Sequence, residues 1–434
     1  MKYFQPELET MSLADKRALQ SEKLVKTVKY VYERQKPYRE KMDAIKLRPS
    51  DIKGIEDIWK LPFTQKSDLR NSYPFGMMAA DRKDLVRLHA SSATTGKLTV
   101  SGYTQNDIDI WADCAARSLV MAGADQNSIV HVCYGYGLFT GGLGMHYGAE
   151  RLGAIAVPAS AGNTQRQLQL LSDFKADIIC CTPSYAIYLI EEIEKAGLKI
   201  GTDIVLKGGC FGAEAWTEEM RNEIERRLNI HACDIYGLSE ISGPGVANDC
   251  EYKRGMHFQD DHYFPEIVDT ETLEPLPIGE RGELVITTLD RTGMPLIRYR
   301  TRDIAALDDS PCPCGRTTIK MKRITGRSDD MLIIRGVNVF PSQIESVLLK
   351  NPAVQPHYHI NVDRVNNLDT LEIVVELSPN AFSDTVADVE AIRTKLAGEM
   401  ASGISVSAKI TLVSPGTIER SEGKSKRITD RRKI

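Results

Sequence analysis

The chain begins with a helical pattern of apolar residues and then alternates between short apolar runs and helical stretches. Within residues 12–34, apolar side chains recur at near-helical spacing, which predicts a helix that Pro37 ends. Five apolar runs after about residue 85 are predicted to be buried strands, at residues 128–135, 153–160, 176–184, 203–214 and 231–237. Alternation of strands with helices is typical of a parallel sheet with helices on both faces.

Two of the intervening helices have recognisable ends. Residues 184–197 are predicted to be helical, with Ser184 as the N-cap and Gly197 just past the last turn. Residues 217–229 are predicted to be helical with Thr217 as the N-cap, and two acidic residues in the first turn suit the helix dipole.

The pattern changes after about residue 260 and again after Gly326. The runs at 263–269 and 281–289 alternate like antiparallel strands. Beyond Gly326, strands and two helices follow in a β-α-β-β-α-β-like order, with elements near 341–351, 357–364, 371–377, 384–400 and 407–414. About 105 residues suffice for a domain. We therefore expect an N-terminal domain over residues 1–326 and a small α+β domain over 327–434.

Composition excludes several classes of protein. Of the 434 residues, 42% are apolar and 26% charged, which indicates a globular chain rather than a disordered one. No window approaches the roughly 18 apolar residues that span a membrane, and the N-terminus lacks the apolar run of a signal peptide. The net charge of −4 argues against a nucleic-acid partner. The odd number of cysteines, nine, favours a reducing compartment, so we expect a cytoplasmic protein.

Most of the cysteines read as small apolar side chains, but three do not. Cys312-Pro313-Cys314-Gly315 is a tight turn that presents two thiols, and Cys250 with His257 would complete a Cys₃His set suited to structural Zn²⁺. His262 is a rival fourth ligand. The C-x-C spacing is tighter than the usual C-x₂-C, and free thiols on loops remain the alternative.

A loop rich in hydroxyl groups is the first candidate for chemistry. Residues 91–97, SSATTGK, combine exposed backbone amides, several hydroxyls and one cation, which suits the β- and γ-phosphates of a nucleotide. The spacing is not that of a Walker A loop. A polar turn before a strand is the alternative.

Three further segments follow along the chain, each with an alternative interpretation. Residues 236–240, YGLSE, leave a strand at the end where α/β proteins place ligands, or form a turn with a solvated Glu240. Asp303 could accept both hydroxyls of a ribose, or pair with Arg300 or Arg302. Lys424 lies in a basic stretch that could equally be a solvated tail.

Together and in this order, these segments resemble the adenylate-forming superfamily of acyl-CoA synthetases, adenylation domains and luciferases, and within it the phenylacetate–CoA ligase branch. The segments specific to that branch are residues 134–153, 211–216, 234–246, 299–303 and 324–345. The resemblance covers essentially the whole chain. It implies a large multi-sheet α/β domain followed by a small mobile α+β domain. Ala93 and Leu98 depart from the family's usual glycine and proline.

The resemblance implies a ligase that joins phenylacetate or a close arylacetate to coenzyme A. The acid would react with ATP, with Mg²⁺ present, to give an acyl-adenylate and pyrophosphate, and CoA would then displace AMP. The alternatives are an adenylating enzyme that loads a carrier protein and a regulator that binds ATP without catalysis. A homodimer is expected, and neither a membrane nor a nucleic acid is expected as a partner.

The resemblance also assigns roles to individual residues. The nucleotide-binding set is Ser91, Ser92, Thr94, Thr95, Gly96, Lys97, Gly212, Ala213, Glu214, Asp234, Ile235, Tyr236, Gly237, Ser239, Glu240, Asp303 and Arg327. The acyl-binding set is Tyr136, Phe139, Gly141, Gly142, Ala213, Ile235, Gly237 and Pro244. The catalytic set is Lys424, Glu240, Thr95 and Lys97.

Several of these roles are specific. Glu240 would hold Mg²⁺, and Lys424 would bridge the carboxylate and the α-phosphate. Asp329 would be the hinge between the domains, Gly336 would lie near the CoA arm, and Lys66 would contact phosphate.

Overall fold

The computed structural model describes residues 1–91, 98–328, 332–335, 337–365, 368–381, 386–420 and 427–432. The α-helices are α1 Pro6–Glu9, α2 Leu13–Arg34, α3 Lys36–Ala44, α4 Lys66–Asn71, α5 Gln105–Met121, α6 Gly141–Leu152, α7 Thr164–Phe174, α8 Pro183–Lys195, α9 Glu218–Leu228, α10 Pro341–Leu349 and α11 Val386–Ile404. Short 3₁₀ helices cover Pro49–Asp51, Ile55–Lys60 and Arg82–Asp84.

The strands fall into one large sheet, a smaller four-stranded sheet and two hairpins. Those of the first half are β1 Arg87–Ser91, β2 Thr99–Tyr103, β3 Ile129–Val132, β4 Ile155–Val157, β5 Ile178–Cys181, β6 Gly208–Gly212, β7 His231–Leu238, β8 Gly243–Asn248, β9 Met256–Phe258 and β10 Tyr263–Val268. The others are β11 Arg281–Thr288, β12 Tyr299–Asp308, β13 Lys320–Met321, β14 Gly326–Arg327, β15 Leu332–Ile334, β16 Val337–Val339, β17 Val354–Val365, β18 Leu368–Leu377, β19 Lys409–Val413 and β20 Ile428–Asp430.

The large sheet changes from parallel to antiparallel along its width. Its order is β10-β11-β12-β13-β9-β8-β7-β6-β5-β3-β4, with β14 paired to β12. Strands β3 to β7 pair in parallel, whereas β7 to β13 pair antiparallel, as the two sequence patterns predict. The α/β fold expected from the sequence is therefore confirmed.

Helices cover both faces of the parallel half because successive side chains of a strand point to opposite faces. In β5, Ile178 and Cys180 face the core that α5 and α6 cover, while Ile179 and Cys181 face the core that α7, α8 and α9 cover. All nine cysteines are free and buried. No described helix combines the length and apolar character that a membrane crossing requires.

Helix ends show where local sequence reasoning succeeded and failed. Thr217 caps α9 by accepting the amide of Met220, as predicted. The N-cap of α8 is Thr182 rather than Ser184, because Pro183 opens the helix and Thr182 accepts the amide of Tyr185. Pro37 lies in the first turn of a new helix, α3, which follows α2 almost directly.

The C-terminal lobe, defined here as the described residues from Leu332 to Arg432, has its own core. Its sheet has the order β19-β18-β17-β20, and α10 and α11 pack on it around the buried residues Ile344, Leu348, Leu396 and Met400. Before this lobe begins, Asp303 of β12 pairs with Arg327 of β14, so the chain belongs to the large sheet as far as Arg327. The lobe touches the rest of the molecule near α9, which α10 contacts.

Candidate active site

A cavity of about 400 Å³ lies at the carboxyl ends of β6 and β7 and is closed on one side by the C-terminal lobe. Ligands of open α/β sheets bind at such strand ends. Its described lining is Ala213, Glu214, Ala215, Trp216, Thr217, Asp234, Ile235, Tyr236, Gly237, Leu238, Met256, Asp303, Arg323, Ile324, Gly326, Arg327, Pro341, Ser342, Glu345, Tyr358, Arg427 and Ile428. Eight residues of the predicted nucleotide-binding set therefore lie together: Ala213, Glu214, Asp234, Ile235, Tyr236, Gly237, Asp303 and Arg327.

Glu240 is a buried carboxylate, so the interpretation of a solvated turn residue is wrong. Only 5% of the residue is exposed. Ser91 Oγ donates to its Oε1 (2.9 Å), and Lys66 Nζ lies 3.2 Å from the same oxygen. Its backbone carbonyl accepts from the Arg291 guanidinium, which anchors the turn. Glu240, Ser91 and Lys66, all predicted from the sequence, thus meet at one point.

Of the predicted phosphate loop at residues 91–97, the structure describes Ser91. Ser92, Thr94, Thr95, Gly96 and Lys97 lie outside the described residues, as do Asp329, Gly336 and Lys424. Ser91 is the last described residue before this segment, and its side chain contacts Glu240.

Asp303 is held in the cavity by two groups. The Tyr236 hydroxyl donates to its Oδ2 (2.7 Å), and Arg327 Nη1 lies 3.3 Å from its Oδ1. Arg300 instead pairs with Glu283 (2.7 Å), so the alternative that Asp303 pairs with Arg300 is wrong. Arg302 also faces Glu283, at 3.6 Å.

Asp234 is a second buried carboxylate on the cavity wall. Burial, followed by the charge of Asp249, raises the pKa of Asp234 to about 6. The Asp249 carboxylate accepts the backbone amide of Asp234 (3.1 Å) and an Arg221 N–H (2.6 Å). Asp234 is therefore mostly ionised at pH 7 and becomes neutral in mildly acidic solution, at a higher pH than an exposed aspartate would.

The segment that follows β6 is held by a hydrogen bond to the start of α8. Glu214 Oε1 accepts the backbone amide of Ser184 at the N-terminus of α8 (2.7 Å). Ala213 adopts a positive φ of 70°, which turns the chain sharply into the cavity. Gly212 lies at the end of β6, paired with Ile235 of β7.

The predicted acyl-binding residues divide between two places. Ala213, Ile235 and Gly237 line the cavity, whereas its described lining does not include Tyr136, Phe139, Gly141, Gly142 or Pro244. These five lie on the loop before α6, at the start of α6 and at the start of β8. Thr140 and Ser239 share a hydrogen bond (3.2 Å) that joins this loop to the turn before Glu240.

Gly142, in the first turn of α6, packs closely against the loop that precedes the helix. A Cβ on Gly142 would lie 2.8 Å from the Gly135 carbonyl oxygen and from the Tyr136 ring. The absent side chain therefore makes room for the protein's own loop. Tyr136 is held by a contact between its hydroxyl and His146 Nδ1 (3.3 Å), and Phe139 is exposed.

Two polar contacts of Glu191 join the C-terminal lobe to α8. Glu191 Oε1 lies 2.6 Å from His357 Nε2, and its Oε2 lies 3.4 Å from Arg420 Nε. Arg420 also contacts Glu376 (2.8 Å). Glu191, His357 and Arg420 form what we call the α8 latch.

The sequence analysis missed the cavity residues that the C-terminal lobe and its approach supply. Arg427 contacts Glu345 and donates to the Tyr358 hydroxyl (3.0 Å), and Arg323 lies over the Trp216 ring. Arg427 has a weak signal in the basic stretch that contains Lys424. The others carry no local signal, because they reach the cavity only through tertiary packing.

A separate cluster gathers the predicted metal ligands. The donor atoms of Cys250, His257, Cys312 and Cys314 all lie within 4.8 Å of one another. His262 is elsewhere, since its ring contacts Asp290 (2.8 Å). The structure therefore favours His257 over His262.

Comparisons with known proteins give the family. The AMP-binding enzyme model matches residues 15–289, and the AMP-binding enzyme C-terminal domain model matches 336–432. The phenylacetate-coenzyme A ligase of Thermus thermophilus is 48% identical over 99% of this chain and all of its own length. That of Escherichia coli is 49% identical over 98% of this chain and 97% of its own.

Solved structures of one related ligase in two reaction states show which arrangement of the two parts this chain resembles. A 2-hydroxyisobutyryl-CoA ligase in the postadenylation state, with an acyl-AMP, covers all of this chain and 93% of its own at 29% identity, with a TM-score of 0.93. The same ligase in the thioesterification state, with CoA, covers 99% of this chain and 92% of its own at 30% identity, with a TM-score of 0.74. The two parts of this chain are thus arranged as in the postadenylation state. The chain belongs to the AMP-binding enzymes, and within them to the phenylacetate–coenzyme A ligase family.

Proposed function

We propose that this enzyme joins phenylacetate to coenzyme A in two half-reactions. The acid's carboxylate attacks the α-phosphorus of ATP, which forms phenylacetyl-AMP and releases pyrophosphate. The CoA thiolate then attacks the acyl carbon, and AMP leaves with the electrons of the broken acyl–oxygen bond. The observation that carries the proposal is that the chain is 48–50% identical, over nearly its full length, to four proteins named phenylacetate-coenzyme A ligase.

The first half-reaction brings two anions together, so the site must supply positive charge. Asp303 and Tyr236, joined by their hydrogen bond, are placed to orient the nucleotide's ribose and base. Lys66 and the loop at 92–97 would face the leaving pyrophosphate, and Lys424 would neutralise charge between the carboxylate and the α-phosphate.

Mg²⁺ fits the oxygen donors beside the phosphate loop. The Glu240 carboxylate and the Ser91 hydroxyl lie 2.9 Å apart and are the hard oxygen groups that Mg²⁺ prefers. These two residues would hold the ion with the β- and γ-phosphates, and when bound it would offset phosphate charge. The thiol cluster has softer donors and is not assigned to this ion.

The second half-reaction is proposed to need another orientation of residues 327–434, with Asp329 as the hinge and Gly336 near the CoA arm. The two TM-scores against the same ligase in different states support such a rotation. Rotation after the adenylate has formed would also limit its exposure to water.

A panel of carboxylic acids tests which acid the enzyme uses. We expect CoA-dependent AMP formation to be fastest with phenylacetate and slower with 4-hydroxyphenylacetate, indoleacetate, benzoate and 2-hydroxyisobutyrate. One methylene or hydroxyl changes discrimination by roughly 10–200-fold in an apolar pocket. A preference for any other acid of the panel would contradict the assigned substrate. Adenylation without CoA thioester formation would instead support the carrier-loading alternative.

The α8 latch leads to a prediction about the two orientations. In Glu191→Gln, loss of the contacts to His357 and Arg420 should slow acyl-adenylate formation by about three- to tenfold, because the arrangement described here, in which we propose that the adenylate forms, loses stabilisation. Thioester formation from synthetic phenylacetyl-AMP should not slow. Rapid-quench measurements of each half-reaction test this.

The matched control is Glu192→Gln, one position along α8, whose carboxylate contacts Lys195 on the same helix. It should leave both rates unchanged, and equal slowing of both half-reactions by Glu191→Gln would count against the latch. Burial raises the pKa of Glu191, but the hydrogen bond and charge of His357, with Arg420, lower it more. The Glu191 carboxylate is therefore fully ionised above its ordinary pKa, and its pairing with Arg420 weakens as the pH falls through the lowered value.

A further inference from the structure

Three thiols and one imidazole form an isolated buried group away from the cavity. Cys250 follows β8, His257 lies in β9, and Cys312 and Cys314 lie on the loop before β13. The residues are between 0 and 7% exposed. The three cysteines form a buried cluster of their own, separate from the larger hydrophobic cores. A purely apolar role, as for Cys180 or Cys233, would place them within one of those cores.

Two separations between donor atoms are close to those of ligands on a single tetrahedral ion. Zn–S bonds of about 2.3 Å and Zn–N bonds of about 2.0–2.1 Å put ligand sulfurs about 3.8 Å apart, and sulfur and nitrogen about 3.6 Å apart. Cys250 Sγ and Cys312 Sγ are 3.6 Å apart, and Cys314 Sγ is 3.4 Å from His257 Nε2. A disulfide would need about 2.05 Å between sulfurs.

The groups around the donors hold them in ligand geometry. Thr318 Oγ1 occupies His257 Nδ1 (2.9 Å), which leaves Nε2 as the nitrogen that faces the thiols. The backbone amide of Arg316 donates to Cys314 Sγ (3.4 Å). Gly315, with a φ of 86°, donates its amide to the Cys312 carbonyl and closes the turn that presents both sulfurs inward.

From this geometry we infer that Cys250, His257, Cys312 and Cys314 bind one structural Zn²⁺ ion. A Cys₃His set with all four positions filled by protein is the donor set of a structural zinc site rather than a catalytic one. The inference goes beyond the ligase reaction and does not depend on it.

The ion would fasten the N-terminus to the floor of the active-site cavity. Tyr3 donates its hydroxyl to the Cys314 carbonyl (2.7 Å), and Arg316 forms a buried ion pair with Glu9 (2.7 Å). On the other side, Cys250 directly follows Asp249, which bonds the backbone amide of the cavity residue Asp234. The N-terminal residues and the strand end at Asp234 would thus share one anchor.

The test uses the full chain, produced with zinc in the medium and purified without chelator or a metal-affinity column. Elemental analysis should find about one zinc per chain, and zinc X-ray absorption should give three sulfur and one nitrogen neighbours. Titration of the wild-type thiols with an organomercurial should release that zinc to a chromogenic chelator. These measurements need no variant and no ligase activity.

Variants then locate the ion. Cys314→Ser and His257→Ala should each lower the zinc content at least about tenfold, and raise hydrogen exchange in residues 1–10. The control is Cys133→Ser, a buried cysteine whose sulfur has Gln167 Oε1 as a polar neighbour (3.5 Å), and it should retain the zinc. Wild-type protein with less than about a tenth of a zinc per chain, with iron instead, or with zinc that Cys314→Ser retains, would overturn the inference.

Discussion

Lys424→Ala should slow the formation of phenylacetyl-AMP by about 10²–10³-fold, because the variant lacks the ammonium proposed to neutralise charge as the carboxylate attacks the α-phosphorus. A described residue close to Lys424 in the sequence supports this role. Arg427, three positions further along the chain, lines the cavity. Phenylacetate-dependent ATP–pyrophosphate exchange measures the effect.

The informative control for Lys424→Ala is the second half-reaction. Thioester formation from synthetic phenylacetyl-AMP and CoA should change by less than about threefold, since no phosphate anion is attacked in that step. Lys426→Ala, in the same basic stretch, should leave both rates near those of the wild type. If Lys424→Ala slows both half-reactions equally, the proposed role is wrong.

Glu240→Gln should slow adenylation by roughly 10²-fold, with a weaker dependence on Mg²⁺ concentration. The substitution keeps the shape of the buried side chain but removes the negative charge that Lys66 faces at 3.2 Å. Pyrophosphate exchange across a Mg²⁺ titration measures both effects. Thioester formation from the synthetic adenylate should be nearly unchanged.

A loss of folding would give a different result for Glu240→Gln. Ser91 Oγ can still donate to the amide oxygen of a glutamine, so the thermal unfolding temperature should stay within about 4 °C of the wild type. A wild-type Mg²⁺ dependence in a variant that adenylates at full rate would exclude Glu240 as the Mg²⁺ ligand.

The parallel sheet could be predicted because its strands are short, apolar and separated by amphipathic helices. The alternation within β5, where Cys180 and Cys181 face different cores, is the reason those runs show no period of two. The predicted cap at Ser184 is wrong because proline favours the first position of a helix, so Pro183 opens α8 and the residue before it, Thr182, is the cap.

The site was predictable where its residues follow strand ends in compact motifs. Glu240, Tyr236 and Asp303 each leave or lie in a strand of the large sheet, so the sheet brings them together. The α8 latch was not predictable, because Glu191 and His357 are 166 positions apart and neither lies in a motif. The choice of His257 over His262 needed the register of β9 against β13, where His257 faces Lys320.

The last strand of the C-terminal lobe has a consequence for how the proposed catalytic lysine would move. β20 pairs in parallel with β17, through Ile360 N to the Arg427 carbonyl (2.7 Å) and Arg431 N to the Val362 carbonyl (2.8 Å). On the near side, Arg420 is bound to Glu376. A loose tail would search for its target anew in every turnover, at an entropic cost. Because Arg420 and Arg427 are both bound within the lobe, the proposed rotation would carry the short stretch between them along, so the Lys424 ammonium would reach the α-phosphate in one orientation and leave it in the other.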